Sequence, residues 1–549
     1  MKQNYNLTWL YAQTKGNRRY LVSLALSGIL MAVVNMGVAT ILKSFVDIAT
    51  GDSATTLSAN IIAAIGLLLM EGVLCLVIAM SFRVSCAKIA RKIRLELADR
   101  LYHSSLPEMQ EHHTGEYMTN LTEDVEKVSA CFPTLMRSIV SNGLSAVLAI
   151  LYLFWLNWKL ALLLLICIPL LIFCIAIFSP IVQKTSRTDK ENEERIRVCL
   201  QEMIEKIALF KIGFMWKKLE CKASGLMEEK VKSSRRLGAA EGGSSFLNNI
   251  MGTAMFLIAM GGGAYFVMRG ELLVGAMIAV IQLSNYIIWP FTAIGEIISN
   301  VNQAIVSAGR LDRVYALTQE PEQETFSQKT VSRLRLRGVS FCYKDNRILE
   351  GIDAEFEKRQ IVGIVGESGG GKSTLLKVLS GLYHPEAGTL SVDFADGTVG
   401  EDVRPYVGLV PPADLVFSDT IGANICMTME ADRKRLADCA ELANIGRYIE
   451  GLERQYDTEI GNGKIALSSG QEQRIGIARA LYQKAEILLF DEPTANLDAE
   501  SIAVFLDTLD RIAPERICIV VTHDPRVVAR CSKVYEMKEG RLWPAQTNN

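Results

Sequence analysis

Gly366-Glu367-Ser368-Gly369-Gly370-Gly371-Lys372-Ser373-Thr374 sets four glycines and a lysine ahead of a closing Ser-Thr pair. Backbone amides free of side-chain bulk can curl around an anion. Lys372 can reach the outer oxygens of a polyphosphate, and the Ser373 hydroxyl suits Mg²⁺. A second apolar run, Ile487–Phe490, delivers Asp491 and Glu492 at its end. Asp491 is placed to hold Mg²⁺ directly or through water, and Glu492 to polarise an attacking water. A third run, Cys518–Val521, ends at Thr522-His523, where His523 can contact a terminal phosphate. A lone Asp-Glu pair or histidine is ordinarily a solvated loop residue. Their order after a complete phosphate loop points instead to hydrolysis, with Lys372, Glu492 and His523 as catalytic candidates and Ser373 and Asp491 as metal ligands.

These residues need strands to carry them. Ile361–Val365 reads as the strand before the phosphate loop, and Leu375–Leu379 as the helix after it. Short β-branched strands alternate with turns and helices from residue 331 onward, after a polar linker at 317–330. That pattern predicts an α/β domain over 331–549.

The preceding residues obey a different rule. Of 549 residues half are hydrophobic and only 21% charged, with Lys+Arg 58 against Asp+Glu 60. A net charge of −2 gives no global case for a nucleic-acid partner. The apolar residues are concentrated in charge-free stretches at 20–42, 53–70, 138–158, 160–183, 242–268 and 272–295. A bilayer core requires about 20 apolar residues of helix. Five stretches meet that length, and the second does so when continued through 72–82 across Glu71. Six spans are expected, near 20–43, 56–82, 137–157, 159–180, 246–268 and 272–294, within a membrane domain covering 1–316.

Basic residues set the orientation. Lys15, Arg18 and Arg19 precede the first span, and Arg83, Lys88, Arg91, Lys92 and Arg94 follow the second. Lys184 and Arg187 follow the fourth, and Arg235 and Arg236 precede the fifth. Both termini and the α/β domain are therefore expected on the cytoplasmic side of a cell membrane. No cleavable signal pattern is read at the N-terminus. The connections 83–136 and 181–241 have helical composition and are expected to project as two long arms, turning near His113–Asn120 and Phe210–Trp216. His103, His112 and His113 in the first arm lack the cysteine or acid spacing of a metal site. Glu71, alone among acids well inside a span, is expected either to pack against a partner or to face a cavity. Pro169 and Pro290 could kink their spans, and Gly261–Gly263 could admit a close helix. The twelve cysteines contain no CxxC pair and read as free thiols.

Leu467-Ser468-Ser469-Gly470-Gln471, followed by Gln473-Arg474 and the helical run Ile475–Leu481, carries a resemblance. With the phosphate loop and Asp491-Glu492, it resembles the signature of ATP-binding cassette transporters, in the exporter type with fused membrane and ATPase domains. The resemblance implies six transmembrane helices joined to a phosphate-loop ATPase, with ATP and Mg²⁺ as cofactors. Leu467–Gln471 would complete the nucleotide site of an opposing subunit. Tyr343 resembles the aromatic that stacks on adenine. Ala495-Asn496-Leu497-Asp498 resembles the interface loop, with Asp498 its acid, and Thr458–Gly461 the element that meets the coupling arms. Thr114-Gly115-Glu116 and Asp124 fit the family pattern in the first arm.

One chain holds a single phosphate loop and a single signature, so the resemblance implies two chains head to tail, a homodimer or a heterodimer with a related half-transporter. The partners it implies are the lipid bilayer and a small-molecule, lipid, peptide or metal-chelate substrate. Export of a hydrophobic, amphipathic or peptide-like compound is the leading expectation. Uptake of an iron-siderophore-like chelate and an ATP-gated regulatory role without flux are the alternatives. Two positions depart from the family. Ser469 replaces the middle glycine of the signature, and Pro412 stands where a glutamine normally follows the strand Val407–Val410. With Lys372, Asp491, Glu492 and His523 intact, ATP turnover is expected to persist with altered rate or coupling.

Overall fold

The computed structural model describes residues 7–51, 56–111, 114–213, 215–320, 329–344, 346–412, 415–428, 431–461, 464–495 and 497–545. They fall into two compact units, Met1–Tyr102 with His113–Ala316 and His103–His112 with Leu317–Asn549.

The described part of the first unit is helical. Its long helices are Arg18–Thr50, Leu57–Tyr102, Thr114–Leu156, Trp158–Glu205, Trp216–Met268 and Val274–Tyr315. Lipid offers the backbone no partner, so runs of Leu, Ala, Val and Ile satisfy their own amides as helix. Four of these helices are long and apolar enough to cross a membrane: Arg18–Thr50, Leu57–Tyr102, Thr114–Leu156 and Trp216–Met268. The other two carry shorter apolar stretches, Trp158–Leu170 and Val274–Ile288.

Pro169 and Pro290 lie inside helices that continue on both sides of them. Departures from α geometry fall elsewhere, at two π-helical segments, Asn120–Asp124 and Ser138–Gly143. The first puts the fully buried Asp124 opposite Arg310, whose guanidinium grips the carboxylate through both Nε and Nη2. Arg313 pairs with Glu116 one turn further along.

Local polar contacts close the chain ends of these helices. Asn157 Oδ1 accepts the Leu160 amide at 3.1 Å, capping Trp158–Glu205. Lys159 and Glu271, 2.7 Å apart, tie together the two shortest links. Glu71 is half-buried, whereas Asp47, near the end of Arg18–Thr50, is only 6% exposed. Asp47 Oδ1 accepts the Gly275 amide at 3.1 Å, so a carboxylate of one helix caps the first turn of another.

The second unit is built on twelve described strands: β1 Val331–Tyr343, β2 Asn346–Glu357, β3 Ile361–Gly366, β4 Ala387–Phe394, β5 Val399–Gly400 and β6 Val407–Val410, then β7 Asp419–Thr420, β8 Glu459–Ile460, β9 Ile487–Asp491, β10 Ile517–Val521, β11 Lys533–Lys538 and β12 Arg541–Pro544. A six-stranded sheet has the order β12-β11-β3-β10-β9-β6, parallel except for β12. Strands β3, β9 and β10 are buried on both faces, as their unbroken apolar runs require. An antiparallel sheet, β2-β1-β4-β5, packs through Leu334, Leu336 and Phe356 onto Leu375 and Leu379 of the helix Lys372–Leu379.

The first arm departs from expectation. Its turn lies at 103–111, before the anticipated His113–Asn120, and residues from Thr114 onward are already helical. Pro107 explains the position: it opens the short helix Leu106–Gln110 behind an extended Ser105, where a long helix cannot continue. This segment belongs to the second unit, with Leu317–Asn549. The Ser105 amide donates to Thr318 O at 3.0 Å, and Glu320 donates to His103 O at 2.7 Å. Glu108 receives both the amide and the hydroxyl of Thr318. His112 and His113 lie outside the described residues.

Candidate functional site

Register brings the chemistry to one edge. In the parallel ladder Val521 pairs with Asp491 and with Ile364, while Met537 pairs with Gly366. The carboxyl ends of β3, β9 and β10 therefore emerge side by side, the place where open α/β sheets bind ligands. The loop after β3 passes through left-handed Gly369 and Gly371, with φ of 84° and 96°, and enters the helix Lys372–Leu379.

Lys372 is buried and folds back on its own loop. Its Nζ donates to Gly366 O at 2.7 Å and Glu367 O at 2.8 Å. Those carbonyls occupy the ammonium that a phosphate would otherwise attract. Ser373 donates to the Asp491 carboxylate, and burial nonetheless raises the Asp491 pKa above the usual aspartate range. A desolvated carboxylate beside a hydroxyl is a donor set that fits a small hard cation such as Mg²⁺.

Glu492 has a backbone φ of 47°, a left-handed conformation that a glutamate rarely adopts. Its amide is held by Val521 O at 2.9 Å, so the neighbouring strand imposes the turn. The turn brings Glu492 Oε1 within 3.6 Å of His523 Nε2, with both side chains partly exposed. Lys372, Ser373, Asp491, Glu492 and His523 are thus assembled by a single sheet.

The signature residues form a second patch. Ser468 accepts the Gln471 amide at 3.3 Å and Gln471 Oε1 accepts the Ser468 amide at 2.9 Å, a reciprocal cap on the helix Ser469–Tyr482. Ser468 and Ser469 remain exposed at that helix start. Beside them, Asp498 caps Ala499–Ile512 by accepting the Ser501 amide at 2.8 Å. That hydrogen bond holds its carboxyl below the usual range. Asn496 lies outside the described residues.

Tyr343 sits at the end of β1, half-buried. Its hydroxyl is turned inward onto the Tyr383 hydroxyl at 3.0 Å, and Tyr383 donates to Gln110 Oε1 at 2.7 Å. The candidate adenine platform is thereby linked to the first arm's turn.

Gln473, read with the signature, and two residues that the sequence does not single out, Arg479 and Asn424, organise the site. Gln473, buried, donates to Pro493 O at 2.7 Å and so joins the signature helix to the Asp491-Glu492 turn. Arg479 donates to Leu415 O and Asn424 O, each at 2.7 Å. Asn424 in turn exchanges two hydrogen bonds with the Phe417 backbone. These contacts pin the described stretch from Leu415 to Asn424. Of the two new residues, only Arg479 carries a signal, its place on the helix that follows the signature. Pro412 itself is exposed, two residues beyond Val410, which pairs with Phe490. It therefore emerges next to the Asp491-Glu492 turn, while Ala413 lies outside the described residues.

A phosphate loop and a β9 acidic pair at the ends of a parallel sheet, joined by the chain to apolar membrane helices, define a membrane-coupled nucleotide hydrolase. Two family models match the chain: "ABC transporter transmembrane region" over residues 20–291 and "ABC transporter" over 349–495. An ATP-dependent lipid A-core flippase of Chromobacterium violaceum is 26% identical over 99% of this chain and 95% of its own length. A multidrug resistance ABC transporter ATP-binding and permease protein of Lactococcus lactis is also 26% identical, over 84% of this chain and 79% of that protein. The solved structure of a bacterial Atm1-family ABC exporter with ATP bound superposes with a TM-score of 0.76 at 22% identity, covering 96% of this chain and 94% of that one. The chain belongs to the ABC transporters of exporter type: a multi-pass α-helical membrane domain fused to a cytoplasmic α/β ATPase that binds ATP and drives transport by its hydrolysis.

Proposed function

We propose that two copies of this chain form an ATP-driven exporter of a hydrophobic, amphipathic or peptide-like compound. The observation that carries the reading is the convergence of the phosphate loop, Asp491, Glu492 and His523 at one sheet edge, while Ser468–Gln471 present a capped but exposed helix start. The relatives named for multidrug resistance and for lipid flipping support an amphipathic substrate.

In this reading residues 1–316 contribute six membrane spans, 317–330 link them to the cassette, and 331–549 hold ATP. Gly366–Gly371 and Thr374 wrap the phosphates with their amides, and Tyr343 takes the adenine. Lys372 leaves the Gly366 and Glu367 carbonyls for the β- and γ-oxygens. Mg²⁺, held by Ser373 and Asp491, would offset phosphate charge. Glu492 takes a proton from the attacking water, and His523 hydrogen-bonds the γ-phosphate. The partner chain's signature helix start then closes over the phosphates. ATP thus joins two cassettes and hydrolysis releases them. Transport follows only if substrate binds the inward- and outward-open states unequally.

Labelled lipid or drug analogues should accumulate with ATP in inside-out vesicles containing the protein. Uptake restricted to right-side-out cells would overturn export. ATP-dependent conformational change without flux of any compound would overturn transport.

Pro412 makes a second prediction. A proline offers neither an amide donor nor a side-chain oxygen to the metal and water beside Asp491-Glu492. Pro412→Gln is expected to lower the Mg²⁺ concentration for half-maximal ATPase activity by about fivefold, the value of one good polar contact. An unchanged Mg²⁺ titration would show that this position does not face the metal.

A further inference from the structure

The cytoplasmic ends of the first two membrane helices carry a cluster of charge that the transport cycle does not use. Lys15, Arg18 and Arg19 flank the start of Arg18–Thr50, and Lys88, Arg91 and Lys92 lie on Leu57–Tyr102; all six are exposed. No carboxylate pairs with any of them among the described residues. On the adjoining elements Glu126 faces Arg94 and Glu123 faces Lys127, while Glu96 lies one turn beyond Lys92 and about two turns beyond Lys88, and is ion-paired with neither.

Two of the cations converge. Arg19 Nη2 and Lys88 Nζ donate to the Tyr20 hydroxyl at 3.2 and 3.4 Å. Their charged groups also lie 4.8 and 4.4 Å from its ring centre. Like charges drawn onto one phenol repel each other, and an anion between them relieves that repulsion. The arrangement is built: Asn17, 4% exposed, donates to both the carbonyl and the hydroxyl of fully buried Ser85, pinning the chain ahead of Arg19 one turn from Lys88.

Depth and neighbours select the anion. The preceding short helix, Leu7–Ala12, buries Leu10 and exposes Tyr11, an aromatic of the kind enriched at the headgroup level. Directly membraneward, Val22, Leu26 and Val33 of one helix and Leu76 and Met80 of the other expose apolar side chains suited to acyl chains. We propose that Arg19, Tyr20 and Lys88 form a site for the phosphodiester of an anionic phospholipid in the cytoplasmic leaflet. Basic pockets between membrane helices on this side bind such headgroups.

The test uses delipidated full-length protein and native mass spectrometry, with phosphatidylglycerol, phosphatidylcholine or inorganic phosphate as the added probe. Phosphatidylglycerol should be retained in preference to phosphatidylcholine, and excess inorganic phosphate should not displace it. Arg19→Gln/Lys88→Gln should weaken phosphatidylglycerol retention by about 20- to 30-fold. Arg19→Lys/Lys88→Arg, which preserves charge, should retain it. Equal retention of the two lipids by the wild type, displacement by phosphate, or an unaffected glutamine variant would each overturn the site. If the glutamine variant does not fold, the wild-type preference between the two lipids decides. The readout is independent of ATP turnover, and the loss on Arg19→Gln/Lys88→Gln separates this site from lipid held as substrate.

Discussion

Glu492→Gln is expected to bind ATP as tightly as the wild type and hydrolyse it at least about a hundredfold more slowly. The argument is geometric. The Val521 carbonyl fixes the Glu492 amide, and a positive φ aims the side chain toward His523 rather than along the strand. Glutamine fills the same volume and keeps an oxygen at the same place, so the turn and the His523 contact survive. It cannot take a proton from water. Radiolabelled ATP binding measured beside phosphate release separates the two effects. A fall in both would mean that Glu492 supports the loop, and unchanged release would move the base elsewhere. Lys372→Ala provides the contrast, because it removes the ammonium before chemistry and should weaken binding itself.

Legibility followed locality. The phosphate loop, the strand before it and the helix after it are contiguous, so glycine spacing and apolar periodicity were enough to place them. Asp491, Glu492 and His523 each end an apolar run, and a buried parallel sheet must bring such ends together. The tie through Gln473 was not legible, because nothing in its type says that its amide will reach Pro493 O. The first arm's turn was misplaced for a similar reason. Its partners Thr318 and Glu320 lie some 210 residues along the chain from Glu108 and its neighbours, and only Pro107 marked the break locally. The membrane helices show the limit of composition. Charge-free length located apolar segments, but it could not say that Asp47, just past its span, would be more deeply buried than Glu71 within one.

Gly275→Ala should therefore be among the most damaging single-methyl changes in the membrane domain. An added Cβ at residue 275 would stand 2.2 Å from Asp47 Oδ1 and 2.3 Å from the Lys43 carbonyl oxygen. The Lys43 contact is with backbone, so no rotamer relieves it and the two helices must part. Parting them breaks the 3.1 Å hydrogen bond from the Gly275 amide to a buried carboxylate. Overpacking costs about 1–3 kcal/mol and a lost charge-assisted hydrogen bond about 1.5–3 kcal/mol, so a destabilisation of about 3–5 kcal/mol is expected. Gly309→Ala on the same helix is the control, since its Cβ would meet nothing within 4 Å. That change should be neutral or stabilising by about 0.5–1 kcal/mol, because alanine favours helix over glycine. Asp47→Asn keeps an acceptor oxygen and should fall between the two. Thermal unfolding of the three purified variants, followed by intrinsic fluorescence in one detergent, orders them. If Gly275→Ala unfolds with the wild type, the close approach of these helices is not maintained in the folded protein.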